Sequence, residues 1–181
     1  MVERYPIVPY LKTTNLIYNI MISKKLAKAI NDQINAEMWS AYLYLSMSQD
    51  AFNKGYMGAS HWFKHQFAEE QEHAEKFIDY LHSQDAKVVL APIAKVQTEW
   101  KSILDIFTET LEHEQKVTAM INNLCEIAEA DNDRAAQNML AWFIDEQIEE
   151  EGNVRTIIAK LKFMEGDKNG LYNIDKELAG R

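Results

Sequence analysis

Glu70-Gln71-Glu72-His73 sets a carboxylate and an imidazole three residues apart. On a helix that spacing brings both side chains to one face, within reach of a single metal ion. A four-residue step is weak alone. It gains weight because Glu37, Glu114 and Glu150 each interrupt a run that is otherwise mostly apolar at helical spacing. Oxygen-rich ligation with one imidazole suits iron, manganese or zinc better than copper, and carboxylates that bridge favour a dinuclear site; iron fits best.

The interrupted runs define the elements. Steps of three and four residues pick out Ile30, Ile34, Glu37, Ala41, Tyr44 and Ser48, then Phe63, Gln66, Glu70, His73, Phe77 and Tyr80. A third run is Ile103, Phe107, Thr110, Glu114, Val117, Ile121 and Leu124; a fourth is Leu140, Phe143, Gln147, Glu150, Val154, Ile157, Leu161 and Met164. Each reads as the core-facing stripe of an amphipathic helix. Burying one unpaired carboxylate costs several kcal/mol, so four such interruptions require a compensating positive charge.

Residues 23–53 contain no Gly or Pro, and Gly55 and Gly58 bracket the turn that follows. A second helix is expected over 59–83 and a long connection over 85–100, with Pro92 and an apolar patch at 88–90. Ser102, with Asp105 three residues on, caps a third helix running to about 129. Asp131-Asn132-Asp133 turns into a fourth that runs to Gly166 with Gly152 as its weak point, and residues 170–178 add a short fifth. Two short turns and one long crossover give an all-α four-helix bundle of two antiparallel hairpins. Glu37 and Glu70 are equidistant from the first turn, and Glu114 pairs in the same way with Gln147 and Glu150 about the turn at 130–133. Each hairpin therefore levels its own polar residues. Sequence arithmetic does not bring the two hairpins to one height, although an acidic layer in one favours a matching layer in the other.

Composition agrees with this picture. A chain of 181 residues, 47% hydrophobic with only 6 Gly and 3 Pro, suits one helical domain. The net charge of −9 argues against a nucleic-acid partner and suits a cation. A single cysteine, Cys125, excludes an intrachain disulfide and Cys-rich metal sites. No apolar run long enough to span a membrane occurs, and the cytoplasm is the expected compartment. Residues 1–22 read as an N-terminal extension, flexible or the product of an upstream start, and residues 23–181 as the domain. His61, His65, His82 and His113 lie off the stripes and are expected to be ordinary surface histidines; Glu129, Asp131 and Asp133 are explained by a polar turn.

The residues resemble a bacterial non-haem ferritin over roughly residues 21–178. The resemblance is most specific at Glu37 within Ile34-Asn-Ala-Glu-Met-Trp-Ser, at Glu69-Glu70-Gln-Glu-His73, at His113-Glu114-Gln115, at Glu146-Gln147-Ile-Glu149-Glu150, and at Gly170-Leu-Tyr-Asn-Ile-Asp-Lys-Glu-Leu178. It implies a ferritin-like bundle in which Glu37, Glu70 and His73 hold a first iron. Glu70 then bridges to a second iron held by Glu114, with Gln147 and Glu150 close by. A third, looser iron would lie near Glu69, Glu146, Glu149 and Glu150, and Tyr44 would donate a hydrogen bond or an electron beside the centre. The implied activity is that of a ferroxidase, oxidising Fe(II) with dioxygen or hydrogen peroxide and storing ferric oxide-hydroxide inside a hollow shell of twenty-four copies. No haem is expected: a bacterioferritin would carry a methionine where Gln71 stands and a second Glu-x-x-His where Gln147-Ile-Glu-Glu150 stands. A rubrerythrin-like peroxidase would need more cysteines. A DNA-protecting miniferritin places its ligands between subunits and needs no acid in every stripe. The non-enzyme alternative is a helical bundle that binds metal passively or serves as an interaction module.

Overall fold

Ser23 opens the first helix by accepting a hydrogen bond from the Leu26 amide at 3.0 Å, the usual device for satisfying an orphan N–H at a helix start. The computed structural model describes residues 22–180. They form α1 (Lys24–Asn53), α2 (Met57–Ser83), α3 (Ile103–Ala130), α4 (Arg134–Phe163) and α5 (Lys168–Leu178), with no strand among the described residues. Ser102 caps α3 through the Asp105 amide, while Asp133 caps α4 through that of Ala136. Gly55 (φ +88°) and Asn132 (φ 54°) supply the left-handed residues that let the two short turns reverse the chain.

Helix α1 packs along α2 and α3 along α4, as the stripes require. Every stripe residue named above is buried except Met164, which follows the end of α4 and is partly buried. The apolar core is divided. One cluster gathers Leu43, Met47, Phe63, Phe107 and Val154; the other gathers Ile34, Ala74, Phe77, Val117 and Phe143. On each helix the buried acid falls between a residue of one cluster and a residue of the other: Glu37 between Ile34 and Leu43, Glu70 between Phe63 and Ala74, Glu114 between Phe107 and Val117, Glu150 between Phe143 and Val154. The polar layer is thus mid-bundle, with a close-packed apolar cap at either end.

The crossover from α2 to α3 lies along α1. Asn31 Nδ2 donates to the Lys87 carbonyl at 3.0 Å and Asn31 Oδ1 accepts from the Val89 amide at 2.6 Å, while Ser46 Oγ donates to the Gln97 carbonyl at 2.6 Å. Val96 and Trp100 enter the core from it. Ile22, the last residue of the expected extension, also packs into the core; the rest of that segment lies outside the described residues.

Two expectations change. Helix α2 starts at Met57, so Gly58 lies inside the helix rather than in the turn. Its role is close approach: a Cβ at Gly58 would sit 1.6 Å from the Asp175 carbonyl oxygen of α5. The Asp175 carboxylate in turn accepts from the Gly58 and Ala59 amides at 3.0 and 2.9 Å, so a residue of α5 satisfies the start of α2. Helix α4 stops at Phe163, with Gly166 (φ +82°) in the following turn. No described helix is long and apolar enough to cross a membrane.

Two glycine substitutions separate these roles. Gly58→Ala drives a methyl into backbone and is expected to destabilise by about 1–3 kcal/mol, releasing α5 to proteolysis. Gly152→Ala, with nothing within 4 Å of its Cβ, is expected to stabilise the α4 interior by roughly 0.5–1 kcal/mol. Urea unfolding midpoints measure both.

Candidate metal centre

Helix α1 delivers Glu37 and α2 delivers Glu70 and His73 to the same buried space, where one ligand atom from each lies within 4.8 Å of the others. The Glu-x-x-His step does what its spacing demands, His73 Nδ1 lying 3.6 Å from Glu70 Oε2. The second hairpin meets this group at the same height. Tyr44 of α1 donates a short hydrogen bond to Glu114 Oε1 of α3. Gln66 of α2 donates to Glu150 Oε2 of α4 at 2.9 Å. Gln147 Nε2 lies 3.2 Å from both Glu114 Oε2 and the Glu114 carbonyl.

Glu37, Glu70, Glu114 and Glu150 are no more than 2% exposed. Among the described residues no Lys or Arg pairs with Glu37, Glu70 or Glu114; the ion pairs of Lys28, Lys54, Arg155 and Lys160 are elsewhere. Glu37 Oε2 and Glu70 Oε2 are buried and find no donor among the described backbone, amide, hydroxyl or cationic groups, the two carboxyls facing each other. Burial pushes Glu37 and Glu70 well above the ordinary carboxylate range, with the charge of Glu70 adding to the first and that of Glu114 to the second. Burial raises Glu114 from 4.5 to about 7, outweighing the hydrogen bonds from Tyr44 and Gln147. Tyr44 is raised too, by burial and then by the charge of Glu114. Carboxylate oxygens converging in a dry layer fit a divalent cation that prefers oxygen ligands with one imidazole.

The remaining candidates sit at the edge of this layer. Glu146 Oε1 lies 3.9 Å from His73 Nε2, its carboxylate partly buried. Burial raises Glu146, and the charges of Glu149 and Glu69 raise it further, so these three acids form one group on the α2–α4 side. Glu69 is partly buried and lies 3.3 Å from His65 Nδ1, whereas Glu149 is exposed.

One expectation is corrected and one residue is added. His113 is no surface histidine: its Nε2 lies 2.8 Å from Ser40 Oγ, its ring packs against Trp39 and Tyr44, and burial first, then Lys116, lowers it to about 4. Gln33, one turn before Glu37, was not singled out in the sequence, yet its Nε2 donates to Glu37 Oε1 at 2.8 Å. The Gln-x-x-x-Glu spacing was the available signal, but Gln33 lies off the stripe read there and is nevertheless 1% exposed.

Comparison with known proteins places this geometry. Residues 27–164 match the family model described as Ferritin-like domain. The chain is 42% identical over 161 residues to a bacterial non-heme ferritin of Bacteroides fragilis, spanning 89% of this chain and all of that one. It is 40% identical over 156 residues to the corresponding protein of Campylobacter jejuni, spanning 86% and 93%. The crystal structure of an open pore ferritin from Archaeoglobus fulgidus superposes with a TM-score of 0.88 at 41% identity, over 88% of this chain and 99% of that one.

The raised carboxyls have a consequence for stability. The folded chain holds these protons more tightly than the unfolded chain, so their contribution is fully present below pH 4.5 and is lost as pH rises through about 7 for Glu114. For metal-free protein, the urea midpoint of the parent relative to Glu114→Gln is expected to fall across that window. Zn(II) added at neutral pH should restore the parent by occupying the layer. A relative midpoint that rises across the window contradicts the assignment.

Proposed function

We propose that this chain, which belongs to the ferritin family of iron-storage proteins, oxidises Fe(II) to Fe(III) at the buried carboxylate layer and deposits the product inside a shell of its own copies. The observation that carries the reading is the convergence of Glu37, Glu70 and His73 with two carboxylate oxygens that find no backbone, amide, hydroxyl or cationic donor. Iron here is substrate and cargo.

Glu37 and His73 hold one Fe(II), Glu70 lies between the sites, and Glu114 holds the second with Gln147 and Glu150 beside it. Binding displaces the protons that burial keeps on these carboxyls. Each Fe(II) gives up one electron; dioxygen takes both, together with two protons, and leaves as hydrogen peroxide. Tyr44 orients Glu114 through its hydrogen bond, and Gln33 orients Glu37. The first site has an imidazole and the second has only oxygen donors, so the second holds its ion less tightly. Ferric product then moves towards Glu69, Glu146, Glu149 and Glu150, the acids on the α2–α4 side, and on to mineral. A shell of twenty-four copies is the assembly this role calls for.

A passive metal buffer is the competing reading, and it needs no oxidation rate above that of buffer. Anaerobic titration is expected to load about two Fe(II) per chain, with Fe(III) absorbance growing on exposure to oxygen. Glu70→Ala should lose that rate while keeping its assembled mass by size-exclusion light scattering. Gln33→Leu is expected to weaken Fe(II) binding by roughly 10–100-fold, the usual cost of removing a group that orients a ligand. Oxidation by Glu70→Ala at the parent rate would remove the dinuclear assignment.

A further inference from the structure

The acids of the layer are approached from two different surfaces. On the α2–α4 side lie Glu69, Glu146 and Glu149, a strongly negative approach. On the α3–α4 side is a cleft of about 230 Å³ whose lining includes Thr118, Gln147, Glu151, Arg155, Ile144 and Ile148. Its one acid, Glu151, is neutralised locally, accepting from Thr118 Oγ1 at 2.6 Å and pairing with Arg155 Nη2. In the single chain Ile144 and Ile148 are 41% and 69% exposed at its mouth. The cleft therefore carries no net charge and sets isoleucines beside neutral or mutually neutralised polar groups, a poor path for a divalent cation and a better one for a small uncharged molecule.

Gln147 belongs to both places. It lines the cleft, and its Nε2 lies 3.2 Å from Glu114 Oε2 and 3.2 Å from Thr118 Oγ1. Gln147 thus touches both the cleft and the carboxylate layer. Its amide shares two N–H groups among three acceptors, the two above and the Glu114 carbonyl, each at 3.2 Å. That distance is the long end of the hydrogen-bond range, so each of these bonds is individually weak.

We propose that the α3–α4 cleft is the route by which dioxygen reaches the centre, with Gln147 as the last side chain on it, while Fe(II) enters from the acidic α2–α4 side. The inference rests on the ferroxidase reading. It divides the traffic: the cation follows negative charge, and the neutral oxidant follows isoleucine.

The test uses the assembled protein and the variants Ile148→Trp and Ile144→Trp, which fill the mouth from exposed positions outside the carboxylate layer. Stopped-flow oxidation at limiting oxygen is expected to slow severalfold in both and to recover at saturating oxygen, with anaerobic Fe(II) stoichiometry and affinity unchanged. Crystals of the parent pressurised with xenon, which occupies apolar cavities, should show a xenon atom against Ile144 and Ile148 that Ile148→Trp excludes. Unchanged oxygen dependence, slower Fe(II) binding, loss of assembly in both variants, or no xenon in the parent would each overturn the route. A parent that does not oxidise Fe(II) at all would instead overturn the ferroxidase reading, and the xenon result is read independently of it.

Discussion

Carboxylates without counter-charge in the middle of an apolar bundle are the constraint on which the rest of this structure depends. Desolvating even one costs several kcal/mol, comparable with the net stability of a whole domain. Among the described residues no Lys or Arg pairs with Glu37, Glu70 or Glu114, and one oxygen of each of the first two finds no backbone, amide, hydroxyl or cationic donor. The fold tolerates this by placing an apolar cluster at each end of the layer, and burial raises the carboxyls above their ordinary range, which favours their uncharged form. The site is held together by its surroundings and, on the function proposed above, completed by its substrate.

The neutral amides around the layer follow from the same constraint. Gln33, Gln66 and Gln147 each donate to a carboxylate oxygen, which fixes its direction without adding a charge that would compete with metal. A lysine in any of these places would satisfy the acid outright and remove the reason to bind iron. Tyr44 acts in the same way on Glu114, and its raised ionisation keeps the phenol a donor. In the proposed dinuclear centre the single imidazole makes the two sites unequal, which suits iron in transit to storage better than a permanent cofactor.

Charge also divides the outer approaches. The acids on the α2–α4 side and the neutral isoleucine-walled cleft on the α3–α4 side lie on different faces of α4, because Glu146 and Glu149 flank the stripe on one side while Ile144, Ile148 and Glu151 flank it on the other. A helix with a narrow buried seam presents both flanks to solvent, and this one gives each flank a different chemistry.

The helices, their core-facing stripes and the acids interrupting them were legible in the sequence, because helical periodicity and caps such as Ser23, Ser102 and Asp133 act within a few residues of chain. Level positions within each hairpin were legible too, since a short turn makes heights a matter of counting. Three things were settled only by tertiary structure. The two hairpins share one polar layer through Tyr44–Glu114 and Gln66–Glu150, contacts between residues 70 and 84 positions apart. Gly58 exists for the approach of α5, a helix 117 residues away at Asp175. Gln33 is buried and His113 half-buried although neither lies on a stripe, the ring of His113 being packed against Trp39 and Tyr44. Local pattern fixes which face of a helix avoids water; only packing decides which polar neighbours at the edge of that face are enclosed with it.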